Sequence, residues 1–373
     1  MTINRDFSKI HISLFRERAK EVLAALGRAG VTGIHVEAGR SIQLGQASGL
    51  ARLMSSKRPI SEESVSVFTF LVPRELERES IAWLVGELGL DQPGRGSVWA
   101  TQVHMLATHE AWIEAKLSIP TSSARLIASD LVGLACIVQK GEANEIARIG
   151  LSTGTAIPVI TYGIGTGLRN RLGLWRILVP AEKEVATLVM HASEAEAVMN
   201  RMIDEGQLDQ PGKGFIYVYP VASGVLDTKF HVGAESQAAS VEQIVSVLDE
   251  IRGSTEWRRK SFAPSQGSAK KRKFLTNLVN FSITCNEGQV EHFTQVAMAA
   301  GASGATFRRL RYLAPGEEKS AVSPAREVSI LTIGPDKVGP IAAALAKEGL
   351  HEAESSGEIL ISPVAKACTF LGK

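Results

Sequence analysis

Cysteine is scarce in this chain. Cys136, Cys285 and Cys368 are the only three in 373 residues, and their spacing suggests no pairing. A disulfide framework is therefore excluded, and a reducing cytoplasm is the expected location. Long apolar runs are lacking too. Stretches such as Leu131 to Val138 fall far short of the roughly 18 to 20 residues that span a bilayer. Met1 to Gly30 has no apolar centre of the kind a secretory signal needs. Charge of one sign is also missing, because 41 Lys and Arg against 39 Asp and Glu leave +2. This balance gives no ground by itself for a nucleic-acid partner. The eight histidines are scattered without metal-ligand spacing, so no metal site is expected. No Ser, Cys or His stands in a nucleophile motif, and no catalytic residue is assigned.

What is present is ordinary globular material, 45% apolar and 21% charged, long enough for two or three domains. One motif is written twice. Leu-Asp-Gln-Pro-Gly followed by Arg or Lys and then Gly runs from Leu90 to Gly96 and again from Leu208 to Gly214, about 118 residues apart. That period is too long for a solenoid and suits a small domain with its own core.

The first copy reads as strand Ile10 to Phe15, helix Glu17 to Arg28, strand Ile34 to Glu37, a glycine-rich loop from Gly39 to Glu63 and strand Val65 to Val72. A helix carrying Ile81, Leu84, Val85 and Leu88, the glycine turn and strand Val98 to Val103 complete it. The second copy repeats the order from strand Leu134 to Gln139 through strand Phe215 to Val221. It has a loop from Gly163 to Pro180 and a helix burying Ala197, Val198, Met202 and Ile203. The third copy diverges. Strand Val279 to Cys285 and helix Val290 to Ala300 open it, and Ser355-Ser356-Gly357-Glu358 replaces the glycine turn.

A β-α-β-β-α-β unit folds as a ferredoxin-like plait, with two helices on one face of a four-stranded antiparallel sheet. The other face needs cover, and three copies supply it by packing around a common axis as a single-chain pseudo-trimer. The expected class is α+β, with modules at 1–120, 121–228 and 273–373. A helix plus basic linker, at 229–272, separates the second and third.

Two segments could hold an anion. Gly163, Gly165 and Gly167 alternate ahead of Arg169, Arg171 and Arg176, with Lys183 just beyond. Glycines let backbone N–H groups approach an oxyanion, and guanidinium forks match phosphate. The alternative is a surface hairpin with solvated arginines. The two turns, Gly94-Arg95-Gly96 and Gly212-Lys213-Gly214, could present amides and a cation, or could serve only as helix caps. Trp257 to Lys260 and Lys270 to Lys273 form basic clusters whose simplest role is a solvated connector, with contact to anionic lipid or nucleic acid as the alternative.

Gly163 to Val221, with Gly-x-Gly-x-Gly-x-Arg-x-Arg-Leu-Gly-Leu, Pro-Ala-Glu-Lys-Glu and Pro-Gly-Lys-Gly-Phe-Ile-Tyr-Val, resembles the PII-like nitrogen regulatory proteins, particularly their divergent members. The resemblance makes the segment after Tyr162 a T-loop and Gly212 to Gly214 a B-loop. It implies a non-enzymatic signalling protein that requires no cofactor, binds an adenine nucleotide or similar small anion in the clefts between modules, and controls a target protein by moving the loop. The family's usual Gly-Asp-Gly-Lys is displaced to Gly-Lys-Gly-Phe in the second copy, and Glu358 in the third would repel phosphate. The three clefts are therefore not equivalent. The T-loop tyrosine that the family modifies has no counterpart here, so uridylylation is not expected. Two rivals remain: a scaffold that has lost its ligand, and an enzyme using Glu182, Lys183 and Arg176 on a small anion.

Overall fold

Alternation in the first strand sets the architecture. Ile10, Ile12 and Leu14 join one apolar cluster, while Lys9, His11 and Ser13 point to the opposite face. The computed structural model describes residues 2–44, 60–109, 117–120, 127–153, 157–166, 181–227, 272–314 and 322–370. The class is α+β, with a large antiparallel sheet and, among the described residues, six α-helices.

The elements fall into three runs of the same order. The first is β1 (Thr2–Phe15), α1 (Ala19–Arg28), β2 (Ile34–Leu44), β3 (Ile60–Pro73), α2 (Glu77–Leu88) and β4 (Ser97–Ala107). The second is β5 (Leu131–Gln139), α3 (Ala143–Thr153), β6 (Val159–Thr166), β7 (Glu182–His191), α4 (Ala192–Gly206) and β8 (Gly214–Val221), extended by β9 (Ser223–Val225). The third is β10 (Leu278–Asn286), α5 (Val290–Ala299), β11 (Ala305–Leu313), β12 (Ala325–Ile333), α6 (Val338–Lys347) and β13 (Glu358–Val364), extended by β14 (Lys366–Thr369). Within each run the strands lie in the order second, third, first, fourth.

Each run owns a core between its helix pair and one sheet face. Val22, Leu26, Ile81 and Leu84 fill the first, Cys136, Val198, Met202 and Ile203 the second, and Phe281, Phe293, Ile341 and Leu345 the third. Each large aliphatic side chain so buried contributes about 1.5–3 kcal/mol. All three cysteines are free and buried, and burial pushes the Cys285 thiol up to about 12, out of the reactive range. No helix among the described residues is long and apolar enough to cross a membrane.

Pairings between runs form a cycle. The end of β4 pairs with β13, β14 pairs with β8, and β9 pairs with the start of β4. At the centre β2, β6 and β11 pair with one another. By register, Glu37, Thr161 and Arg308 occupy the same place in the three runs, opposite Val67, Val185 and Val328. There the Arg308 guanidinium donates to Glu37 Oε2 at 2.9 Å and to Thr161 Oγ1 at 3.4 Å. Three identical charges at this point would repel, whereas an acid, a hydroxyl and a base attract.

The strands at the centre are longer than the sequence suggested. β2 and β3 continue as a hairpin through Leu44 and Ile60, so much of the expected loop from Gly39 to Glu63 is strand. Gly39 stands there because a Cβ would come 2.8 Å from the Ile160 carbonyl of the neighbouring run. In α4 the buried face runs through Ala195, Val198, Met199 and Met202, and Ala197 is exposed. Val241 to Ile251 and most of the basic linker lie outside the described residues. Arg272, from the end of that linker, is not a solvated connector: it pairs with Asp204 and donates to Asn200 Oδ1 at 3.2 Å on α4.

Candidate anion-binding clefts

The glycine turn after α2 is shaped by positive φ angles, 81° at Gly94 and 119° at Gly96, which only glycine adopts without strain. Two of its amides converge on one carboxylate. Asp227, from the extension of the second run, accepts the Gly94 N–H at 2.8 Å on Oδ1 and the Gly96 N–H at 3.1 Å on Oδ2. The Asp227 N–H in turn donates to Ser97 Oγ at 2.8 Å. A cleft of about 40 Å³ beside this carboxylate is walled by Ser41 and Gln43 from the first run and by Val159 and Thr187 from the second. The turn is therefore an oxyanion cradle filled by the chain's own carboxylate. The Arg95 side chain is exposed, and its carbonyl accepts from Arg18 Nη1 at 2.7 Å.

At the second turn, Gly212 again has positive φ, 73°, and a Cβ on Gly214 would come 2.5 Å from the Ile137 carbonyl. Gln139 Nε2 donates to the Gly212 carbonyl at 3.1 Å, and Thr369 Oγ1 to the Gly214 carbonyl at 2.9 Å. Lys213 Nζ lies 3.4 Å from Glu142 Oε1, with the two side chains 40% and 38% exposed. Such a solvated pair holds the ammonium weakly. The register that puts Asp227 on the first turn puts Phe370 here, 40% exposed. Among the described residues no carboxylate bonds the amides of this turn.

The third turn has opposite polarity. Arg326, 1% exposed, donates to Ser356 O at 2.7 Å, to Asn286 Oδ1 at 2.7 Å and to Ser355 O at 3.4 Å. His109 stands where Asp227 does on the first turn. Burial, with the nearby Arg326 guanidinium and His351 adding to it, lowers its pKa to about 4 and keeps it neutral. The carbonyls of this turn thus face a buried guanidinium, where the first turn presents amides to a carboxylate.

Of the loop candidates, Gly163 and Gly165 lie in β6 rather than in a loop. The Gly165 N–H donates to the Ala181 carbonyl at 2.8 Å and is not free for an anion. Gly163 abuts β11, where a Cβ would come 3.0 Å from Thr306 and 3.1 Å from the Phe307 carbonyl. The alternating glycines thus serve close strand approach. Gly167, Arg169, Arg171 and Arg176 lie outside the described residues. Lys183 opens β7, opposite Gln139 on one side and Gly163 on the other, at the same sheet end as Gly212 to Gly214. The strand register therefore places Lys183 at the same sheet end as Lys213 and the second turn, whereas Gly94 to Gly96 stand beside the cleft that Asp227 faces.

Sequence reasoning missed Asp227, Arg326, His109 and Arg40. Arg40 bridges two runs, donating to Tyr162 Oη at 2.8 Å, Asn144 Oδ1 at 2.8 Å and Glu184 Oε1 at 2.9 Å. Glu184 in turn accepts the Gly141 and Ala143 N–H groups at 2.9 and 3.2 Å at the start of α3. These partners lie 41 to 144 positions apart, so no local pattern announces them.

No family model matches the chain, and no curated protein matches it.

Proposed function

We propose that the chain is a PII-like regulatory protein of the cytoplasm, built from three ferredoxin-like modules, 1–120, 121–228 and 273–373, that curl into a single-chain pseudo-trimer. In this reading the second cleft is the effector site. Lys183 and Lys213 supply charge and Gly212 to Gly214 supply amides for a small anion, with an adenine nucleotide as the leading candidate. Binding acts on a target protein through the arginine-bearing segment of the second copy, Gly163 to Arg176, which engages or releases that target. The ligand must bind one loop state more tightly than the other, because equal affinity shifts nothing.

The observation that supports this reading most is the Asp227 carboxylate on the Gly94 and Gly96 amides. A turn of the same sequence, with no such carboxylate among the described residues, recurs in the second module. Titration calorimetry with ATP, ADP, AMP and cyclic AMP tests it. One nucleotide equivalent per chain, lost in Lys213→Glu and retained in Asp227→Asn, is the expected result. Absence of heat with all four overturns it. A second reading, a scaffold without effector, is favoured by the two turns that the chain fills with its own groups. It predicts a partner interaction indifferent to nucleotide and to Lys213→Glu.

A further inference from the structure

Behind the three cores, the sheet faces turned away from the helices enclose a cavity of about 160 Å³, lined by residues from all twelve long strands. About 10–15 Å³ of such space holds a water molecule, so this cavity has room for a small ligand. Its charge does not cancel. Lys9 lines it and, among the described residues, makes no hydrogen bond and no ion pair within 4.0 Å. Burial lowers the pKa of Lys9, while Glu358 and Glu37 support its charge and Arg308 opposes it. Of the charged side chains that line the cavity, Lys9 and Arg308 face Glu37 alone. His11 and His35, which also line the cavity, are held neutral by burial first and by the neighbouring cations second.

Two buried polar atoms of the lining, one on Trp99 and one on Glu37, are unpartnered among the described residues. Trp99, 5% exposed, lines the cavity, and its Nε1–H has no acceptor among the described residues. Glu37, 9% exposed, spends Oε2 on Arg308 while Oε1 is unbonded. Burial raises the pKa of this carboxyl, so it takes up a proton more readily and can then donate to a carboxylate oxygen. Val159, Leu310 and Ile330 supply apolar wall. A buried cation without a counterion is costly, and an ion that neutralises it is correspondingly favoured.

We propose that this central cavity binds a small monocarboxylate, its head on the Lys9 ammonium and the Trp99 indole N–H and its short apolar tail against the aliphatic wall. The site adjoins the cleft beside Asp227, with which it shares Trp99, Val159 and Thr187, and its lining does not include Lys183, Lys213 or the turn Gly212 to Gly214. Its strands come from all three runs, so occupancy ties the three together.

Acetate titrated calorimetrically into the full-length protein, at constant ionic strength maintained with a bulky buffer sulfonate, tests the proposal. Saturable binding of one acetate per chain is expected. It weakens at least tenfold in Lys9→Met and severalfold in Trp99→Phe, and is unchanged in Lys213→Ala, which addresses only the cleft of the proposed effector. Should Lys9→Met not fold, crystals of the unaltered protein soaked in bromide take its place. An anomalous peak beside Lys9 that acetate displaces supports the site. Absence of saturable acetate binding, equal binding by folded Lys9→Met, or bromide confined to the surface overturns it.

Discussion

Asp227 reaches back 133 residues to Gly94, its Oδ1 accepting the Gly94 N–H at 2.8 Å, and the same carboxylate takes the Gly96 N–H at 3.1 Å. The contact joins the extension of one run to the turn of another, so it is at once a seam fastener and an internal mimic of an anion. Asp227→Ala leaves two amides without their acceptor, which costs about 1–3 kcal/mol. The urea midpoint should fall accordingly. Inorganic phosphate should restore more stability to the variant than to the parent, because a ligand that binds only the folded form stabilises it by mass action. Equal phosphate responses in both proteins would show that the turn is a cap and not an anion cradle.

Arg308 and Glu37 form the buried ion pair at the meeting point of the three runs, with side chains 18% and 11% exposed. Removing one partner of such a pair strands the other. Arg308→Met should therefore destabilise by about 3–5 kcal/mol. The double change Arg308→Met with Glu37→Gln should cost less than the sum of the singles by at least about 1 kcal/mol. Additive effects in denaturant unfolding would mean that the pair contributes nothing through its charge.

Gly39 and Gly212 are both glycines for steric reasons, but of different kinds. At Gly39 a Cβ would meet the Ile160 carbonyl at 2.8 Å, whereas at Gly212 nothing lies within 4 Å and only the φ of 73° resists a side chain. Gly212→Ala should cost about 1 kcal/mol from backbone strain. Gly39→Ala, which must push β2 away from β6, should cost more and loosen their pairing. Hydrogen exchange of Ile160 and Thr161 amides reads the second effect directly, and unaltered protection there would refute it.

These glycines also show what the sequence made legible. The β-α-β-β-α-β order was readable because Ile10, Ile12 and Leu14 alternate and because Val22, Leu26, Ile81 and Leu84 recur at helical spacing, which are local signals. The duplicated turn was readable because its φ angles demand glycine. The alternation of Gly163 and Gly165 was legible as a pattern but not in its purpose, since the atoms that forbid a Cβ at Gly163 belong to β11, more than a hundred residues away. Asp227 and Arg40 were invisible for the same reason, since each acts on partners in another run. Arg326 was invisible because its partners, Asn286, Ser355 and Ser356, lie 29 to 40 positions away in its own run, beyond the reach of a local pattern. Ala197 was misplaced by a smaller error, a helix face rotated so that Ala195 and Met199 take the buried positions.

The buried histidines make the fold sensitive to acid. Burial and nearby cations hold His11 and His35 well below their ordinary range, and His109 is lowered to about 4. A group whose folded pKa is depressed contributes stability that is complete above its unfolded value and is lost as pH falls through the folded one. The unfolded value for histidine is about 6.5, so the loss begins below that pH. Glu37, whose pKa burial raises, works in the other direction and gains relative stability as pH falls, but it is one group against three. Unfolding free energy from urea titrations should therefore drop by at least about 2 kcal/mol between pH 7.5 and pH 5. His109→Gln should shrink that drop, because glutamine has no proton to take up. A flat profile, or a drop of the same size in the variant, would mean that these imidazoles reach solvent and titrate normally. The polar sheet faces around the central cavity would then be open to water, and the charge left uncancelled around Lys9 would be screened rather than poised for an anion.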